Sequence, residues 1–320
     1  MKKVWLCLIL CLCAVSLSPT WAQSYPDRPV KLVIPWAPGG IADIMGRLLG
    51  QKLSALWGQP VVIENRPGAS SNIGTAIVAK SAPDGYTFLL NTSSIAVNTS
   101  LFTNPGYELE KNITGVINVA WSPNIIASSN KLGVNTLQEA LVKAKSSRLS
   151  YGSPGPGTTA HLAAEYVFKV MSKVDIVPIP YNGAGPAINA LVAADVDLTS
   201  VSMPPSLQMM KAGRIKGLAV TSAKRMAVLP DVPTLAESGY PGFEDYTWVG
   251  LFAPAGTPSA VIQKVNSDIT GLLAQAEFKE RLLSLGFEPV GGSSESFAKY
   301  IQIEIKKWDR VIKETGTTVQ

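Results

Sequence analysis

The chain has 320 residues, with 28 lysines and arginines against 23 aspartates and glutamates, a formal charge of +5. Its basic residues are scattered in runs no longer than two, as at Lys306-Lys307, which leaves no nucleic-acid footprint. With one histidine, and cysteines only at Cys7, Cys11 and Cys13, a zinc site has no ligand set, and neither metal nor cofactor is expected. Lys2-Lys3, the apolar run Val4 to Leu17, and Ser18-Pro19-Thr20-Trp21-Ala22 read as a signal peptide over 1–22, cleaved near Ala22. The run is too short for a membrane span. A lipid anchor at Cys13 is disfavoured because Leu12 is not small. Cleavage leaves 298 residues, a charge of +3 and no cysteine. An exported chain without disulfides must rely on its packed core, and the length suits two lobes.

Val30-Lys31-Leu32-Val33-Ile34 predicts a buried strand, and Ile44 to Leu49 has helical spacing. Between them, Pro35-Trp36-Ala37-Pro38-Gly39-Gly40-Ile41-Ala42-Asp43 breaks the strand and restarts the chain as a helix. Free backbone N–H groups and the helix dipole at such a start suit an anion. The structural alternative is a tight turn with Asp43 capping it. Trp36 is either a wall for a ligand body or core. Pro60–Glu64 predicts a second strand, Asn65–Asn72 a loop and Ile73–Lys80 a helix. Tyr86–Leu90 predicts a third strand ending in the polar Asn91-Thr92-Ser93-Ser94. Strands alternating with helices predict an α/β fold with a largely parallel sheet. Ligands lie beyond the carboxyl ends of such strands, which puts Asn91–Ser94, with Thr92 and Ser93 as candidate contacts, in one crevice with the first turn.

Ile113–Ile126 reads as two β-rich pieces broken by Pro123, crossing into a second lobe. There a helix over Thr136–Lys145 and a strand over Leu149–Tyr151 lead to Gly152-Ser153-Pro154-Gly155-Pro156-Gly157-Thr158-Thr159, ahead of a helix over Ala160–Val170. Val174–Ile179 predicts a strand, followed by the turn Tyr181-Asn182-Gly183-Ala184-Gly185 and a helix through Val192. Strands over Val196–Val201 and Ile215–Val220 complete the lobe, with Asp197 read as structural. Asp245–Ala253 crosses back, and helices follow over 258–273, 277–285 and 294–314. Phe297, Tyr300, Ile301, Ile305 and Trp308 form a stripe read as packing. The expected division is 23–120 plus 247–320 for one lobe and 121–246 for the other, joined by two crossing strands.

Two later turns repeat the logic of the first. Ser153, Gly157, Thr158 and Thr159 precede a helix and offer backbone N–H groups and hydroxyls, with Thr158 or Thr159 equally suited to capping. His161 is the only histidine and is either packed or in ligand contact. Tyr181, Asn182, Gly183 and Ala184 open a third helix, where Gly183 suits a positive-φ turn. Catalysis has little support: there is no Gly-x-Ser-x-Gly elbow, phosphate loop or dinucleotide fingerprint. A hydrolase would have to use Ser153 and His161.

The chain resembles the Bug/TctC solute receptors of tripartite tricarboxylate transporters. The resemblance is carried by Tyr25-Pro26-Asp27-Arg28-Pro29, Pro38-Gly39-Gly40 with Asp43, Glu64–Ala69 and Asp84-Gly85-Tyr86-Thr87. It continues in Gly157-Thr158-Thr159-Ala160-His161-Leu162, Pro180-Tyr181-Asn182-Gly183, Leu229–Thr234 and Ala253–Pro258. It implies a two-lobed periplasmic-binding-protein (type II) fold closing on a small carboxylate. The ligand would be held by the loops Pro38–Asp43, Gly155–His161 and Tyr181–Ala184, partly through water. Asp43 is read as a cap and loop-ordering residue, with any ligand contact through water. The resemblance further implies a monomeric, non-catalytic periplasmic receptor that delivers its ligand to a membrane permease. A sensor signalling to a membrane partner and a serine hydrolase are the alternatives. Ala194-Asp195 replaces a common glycine-glutamine pair, and Pro154 and Pro156 stiffen the second loop.

Overall fold

The structure, a computed structural model, describes residues 25–319; the leader, its cleavage point, Leu12 and the three cysteines lie outside them. Among the described residues no helix is long and apolar enough to cross a membrane. The strands are β1 (Val30–Ile34), β2 (Val61–Asn65), β3 (Thr87–Thr92), β4 (Ile113–Ser129), β5 (Ser150–Ser153), β6 (Val177–Pro180), β7 (Leu198–Ser202), β8 (Ile215–Val220), β9 (Tyr246–Pro254) and β10 (Glu288–Gly291). The helices are α1 (Ile41–Trp57), α2 (Asn72–Ala79), α3 (Ser94–Leu101), α4 (Leu109–Asn112), α5 (Leu137–Ser146), α6 (Thr159–Glu165), α7 (Ala184–Ala193), α8 (Met203–Lys211), α9 (Ser259–Ala274), α10 (Ala276–Ser284) and α11 (Ser294–Thr315).

The sheet order is β2-β1-β3-β9-β4-β7-β5-β6, with β8 and β10 also on β4. It is a mixed sheet, whereas the sequence suggested a largely parallel one. β1 lies parallel between β2 and β3, and β5 lies parallel between β6 and β7. The antiparallel strands are the crossing ones. β4 pairs with β9 up to Pro123 and with β7 and β8 from Asn124 onward. It is one 17-residue strand, so Pro123 does not break it. Pro123 sits where the partners change, past the β10 pairing that ends at Trp121, so its missing N–H leaves no ladder bond unmade there.

Each half of the sheet has its own apolar core. Met45, Leu49 and Leu53 of α1 pack with Leu32, Phe88, Val119, Val265 and Phe278. Tyr151, Leu198 and Leu218 pack with Leu137, Val167 and Phe168. The close fit of α1 on its sheet requires Gly46, because a Cβ there would lie 2.5 Å from Cδ1 of Ile34. α11 buries Phe297, Ile301 and Trp308, as its stripe predicts. Trp308 meets Val97 and Leu101 from the first half and Leu162 from the second.

Several elements were not legible. α1 begins at Ile41, ahead of the periodic run, because Ile41 and Ala42 are already buried in its first turn. Asn91 and Thr92 belong to β3, and α3 follows at Ser94. Ile95, Ala96 and Val97 of α3 are all buried, so no polar face marks its period. α8 opens with Pro204-Pro205, residues that stop a strand yet suit a helix's first turn. α6 continues into a π-helical turn over Tyr166–Met171. Lys173 then takes φ +53, which delays β6 to Val177.

Ala194 ends α7 in the left-handed region, with φ +61, where a Cβ is strained. Ala194→Gly is therefore expected to raise stability by about 0.5–1 kcal/mol, read as a higher urea midpoint; an unchanged or lower midpoint contradicts the strain.

Candidate functional site

Trp36, Gly40, Ile41, Ala42, Thr92, Ser94, Pro154, Thr158, Thr159, Ala160, Gly183, Ala184, Ser202 and Thr247 enclose a chamber of about 30 Å³. By volume it admits two or three waters at ~10–15 Å³ each, which is the scale of one carboxylate group. Among the described residues, no charged side chain lines it. Its walls are instead the starts of α1, α3, α6 and α7. Gly40, Ser93 and Gly183 lead into three of these helices without a side-chain cap. At α6 the Thr158 hydroxyl accepts from His161 N–H at 3.2 Å, and the Thr159 and Ala160 N–H groups have no partner among the described residues. Four helix starts thus aim partial positive charge at one small space. The hydroxyls of Thr92, Ser94, Ser202 and Thr247 complete the lining.

Beside the chamber lies an open cleft of about 800 Å³, with Trp36 and Pro154 common to both walls. His161, Tyr181 and Asn182 line this cleft. Ala37, Pro38, Gly39, Asp43, Ser93, Ser153 and Gly157 line neither space and act behind the walls. Asp43 orders the first turn: it accepts from Gly39 N–H and from Arg47 Nε and Nη2, each at 3.0 Å. Asn65 Nδ2 bonds both Asp43 and the Trp36 carbonyl. Burial acts to raise the Asp43 carboxyl, but Arg47, Gly39 and Asn65 hold it below its ordinary value. Trp36 is fixed by its indole N–H donating to Asn91 Oδ1 at 2.9 Å.

Ser153 acts through His161, its Oγ lying 2.8 Å from Nδ1. Ser153 Oγ also accepts from Gly155 N–H at 3.4 Å, which fixes the hydroxyl between the loop and the imidazole. Burial drives the His161 pKa down to about 4. Glu165, the nearby acid, accepts from Tyr151 Oη and pairs with Lys169. No carboxylate orients His161, so a catalytic triad is not assembled.

The two lobes meet backbone to backbone. Ala37 N–H donates to the Asn182 carbonyl at 3.3 Å. A Cβ on Gly185 would lie 2.7 Å from the Pro38 carbonyl oxygen, and one on Gly157 would collide with the Asn98 side chain. Ser93 Oγ and Thr247 Oγ1 both bond Thr159 Oγ1, at 3.3 and 2.7 Å. Ile41, Ala42, Ser94, Pro154 and Ala160 fall inside the segments that the sequence singled out, though not named as contacts, and sequence reasoning missed Ser202 and Thr247 as lining. For Ser202 a signal exists: a serine ahead of Pro204-Pro205 marks a helix start.

A model of the tripartite tricarboxylate transporter family receptor matches residues 45–317. Rpa4515 of R. palustris, solved with adipate, is 36% identical with a TM-score of 0.89, covering 92% of this chain and 99% of that one. The periplasmic binding protein BugD is 34% identical with a TM-score of 0.88, covering 92% and 100%. MatC from Rhodopseudomonas palustris, solved with malate, is 30% identical with a TM-score of 0.84, covering 90% and 100%.

Two outcomes follow from this geometry. Gly185→Ala keeps both lobes intact but prevents their contact at Pro38; ligand affinity measured by calorimetry should fall about tenfold, ~1.4 kcal/mol, and unchanged affinity contradicts the seam. For His161, an exposed imidazole binds a proton near pH 6.5 and the folded chain only near pH 4. Between those values the unfolded chain carries more protons, so acid favours unfolding. From pH 7 to 5 the wild type should lose about 2 kcal/mol relative to His161→Asn, read from paired urea titrations; parallel pH profiles would contradict the neutral, buried imidazole.

Proposed function

The chain belongs to the tripartite tricarboxylate transporter receptor family, and on that footing we propose that it captures a small carboxylate between its lobes and hands it to a membrane permease. Its family and structural neighbours are periplasmic solute-binding proteins and not enzymes, which sets aside the hydrolase reading of Ser153 and His161. The observation that carries the proposal is the convergence of four helix starts on a chamber that no charged side chain lines. Such a site compensates one negative charge with oriented N–H dipoles and hydroxyls. It also has no acidic group to repel that charge. Adipate in Rpa4515 and malate in MatC support the same chemistry here.

In this reading, residues 23–120 plus 247–320 and residues 121–246 are the bodies that close, with β4 and β9 as the connection. The first turn comes from one body, and the Thr158 and Gly183 turns come from the other. A ligand that touches all three turns favours the closed form, because it gains contacts there that an open form lacks. The closed form is what the permease receives. The protein works as a monomer in the periplasm after its leader is cleaved near Ala22.

Thermal unfolding against small carboxylates and their neutral amides tests this. A ligand bound only by the folded chain adds ~2.7 kcal/mol at a hundredfold excess over its Kd. Shifts confined to acids are expected; shifts from the amides alone, or from no carboxylate, contradict it.

A further inference from the structure

The chamber holds one carboxylate, on the reading above, and the remainder of the ligand has to enter the adjoining cleft. We propose that the ligand is a monocarboxylate with an apolar, ring-sized body, and not a dicarboxylate. Beside Trp36 and Pro154, the cleft is walled by Phe102, Pro156, Pro180 and Tyr181. Rings and prolines offer flat apolar surface that matches the face and edge of an aromatic or alicyclic body. The space, about 800 Å³, is in the range of small-molecule sites (~300–1,000 Å³).

Charge narrows the choice further. Among the described residues, the charged side chains on the cleft wall are Glu165 and Lys169, and they are paired with each other. Glu165 is 3% exposed, and its other oxygen accepts the Tyr151 hydroxyl at 2.5 Å. A second ligand carboxylate would have to share Lys169 with Glu165, whose buried charge that ammonium already offsets. The cleft thus offers a second carboxylate no cation of its own, and moving that carboxylate out of water toward the apolar wall costs free energy. His161 offers the cleft a neutral imidazole, which suits a carbonyl, hydroxyl or ring substituent and brings no full charge to hold an anion. A monoacid meets none of these penalties and uses the apolar wall that a diacid leaves empty.

Calorimetry on the mature chain with phenylacetate, adipate and phenylacetamide separates the outcomes. The proposal expects phenylacetate to bind at least about tenfold more tightly than adipate. It also expects Tyr181→Ala to shrink that ratio by weakening phenylacetate more than adipate. Adipate binding as tightly as phenylacetate, or more tightly, overturns the monoacid assignment while keeping a carboxylate receptor. Binding of phenylacetamide alone, or of none of the three, overturns the carboxylate chamber itself and this assignment with it. A phenylacetate preference that survives Tyr181→Ala undiminished overturns the role given to the apolar wall.

Discussion

A helix cannot satisfy the N–H groups of its own first turn, and this fold brings four such turns to one enclosed point. Elsewhere the chain disposes of them in ordinary ways. Thr136 and Ser293 cap α5 and α11 through their side chains, and α9 opens among exposed residues at Pro258–Ala260. Around the chamber Thr158 caps α6, but the other starts have neither remedy. Ala42, Thr159 and Ala160 are 1–2% exposed, and α1, α3 and α7 have no side-chain cap. Buried polar groups left unpaired are costly, and acceptors placed in the chamber would relieve that cost. Glycine makes that concentration of backbone feasible, since Gly40 and Gly183 bring main chain to the chamber wall without a Cβ between.

The same economy governs how the lobes meet. Their contact at Gly39, Gly183 and Gly185 is main chain against main chain: a Cβ on Gly185 would block it, and Gly39 and Gly183 hold the positive φ values that glycine favours. Behind it, a polar chain runs from one lobe through the other to the crossing strands. Ser93 bonds Thr159, Thr159 bonds Thr247, and Thr247 donates to Asn124 Oδ1 at 2.8 Å. Asn124 Nδ2 then reaches Asp245 at 2.8 Å, and Asp245 pairs with Lys307 of α11 at 3.1 Å. Burial pushes the Asp245 pKa up to about 6 against the pull of Lys307. The strands that carry the connection are thereby tied to the chamber wall by hydrogen bonds, and Thr159 is a member of both.

Much of this was readable from residues alone. The Pro-Gly-Gly break after β1, the Gly-Pro loop before α6 and the Gly183 turn each announced a helix start at a strand end, and all three contribute to one site. Asp43 was read as a loop-ordering residue, and its bonds to Gly39, Arg47 and Asn65 bear this out. What stayed hidden has physical reasons. α3 buries Ile95, Ala96 and Val97 in succession, so its period leaves no trace. Pro123 looks like a break because the rule against strand prolines assumes a neighbour on both edges, and here the neighbours change at that residue. Thr247 sits in a crossing strand that is apolar at most positions, and only the three-dimensional convergence of β9 with α6 shows that it faces the chamber. The polar network around Asn124 and Asp245 joins residues more than a hundred positions apart, a pairing that local pattern does not encode.

The most direct measurement is a crystal structure of the mature chain with a bound carboxylate. The account predicts the carboxylate oxygens within hydrogen-bond distance of N–H groups at the starts of α1, α6 and α7, directly or through one water, with the hydroxyls of Thr92 and Thr159 close by. No lysine or arginine side chain should reach them. A carboxylate held instead by a cationic side chain, or bound outside the chamber, would contradict the claim that helix starts alone provide the charge compensation.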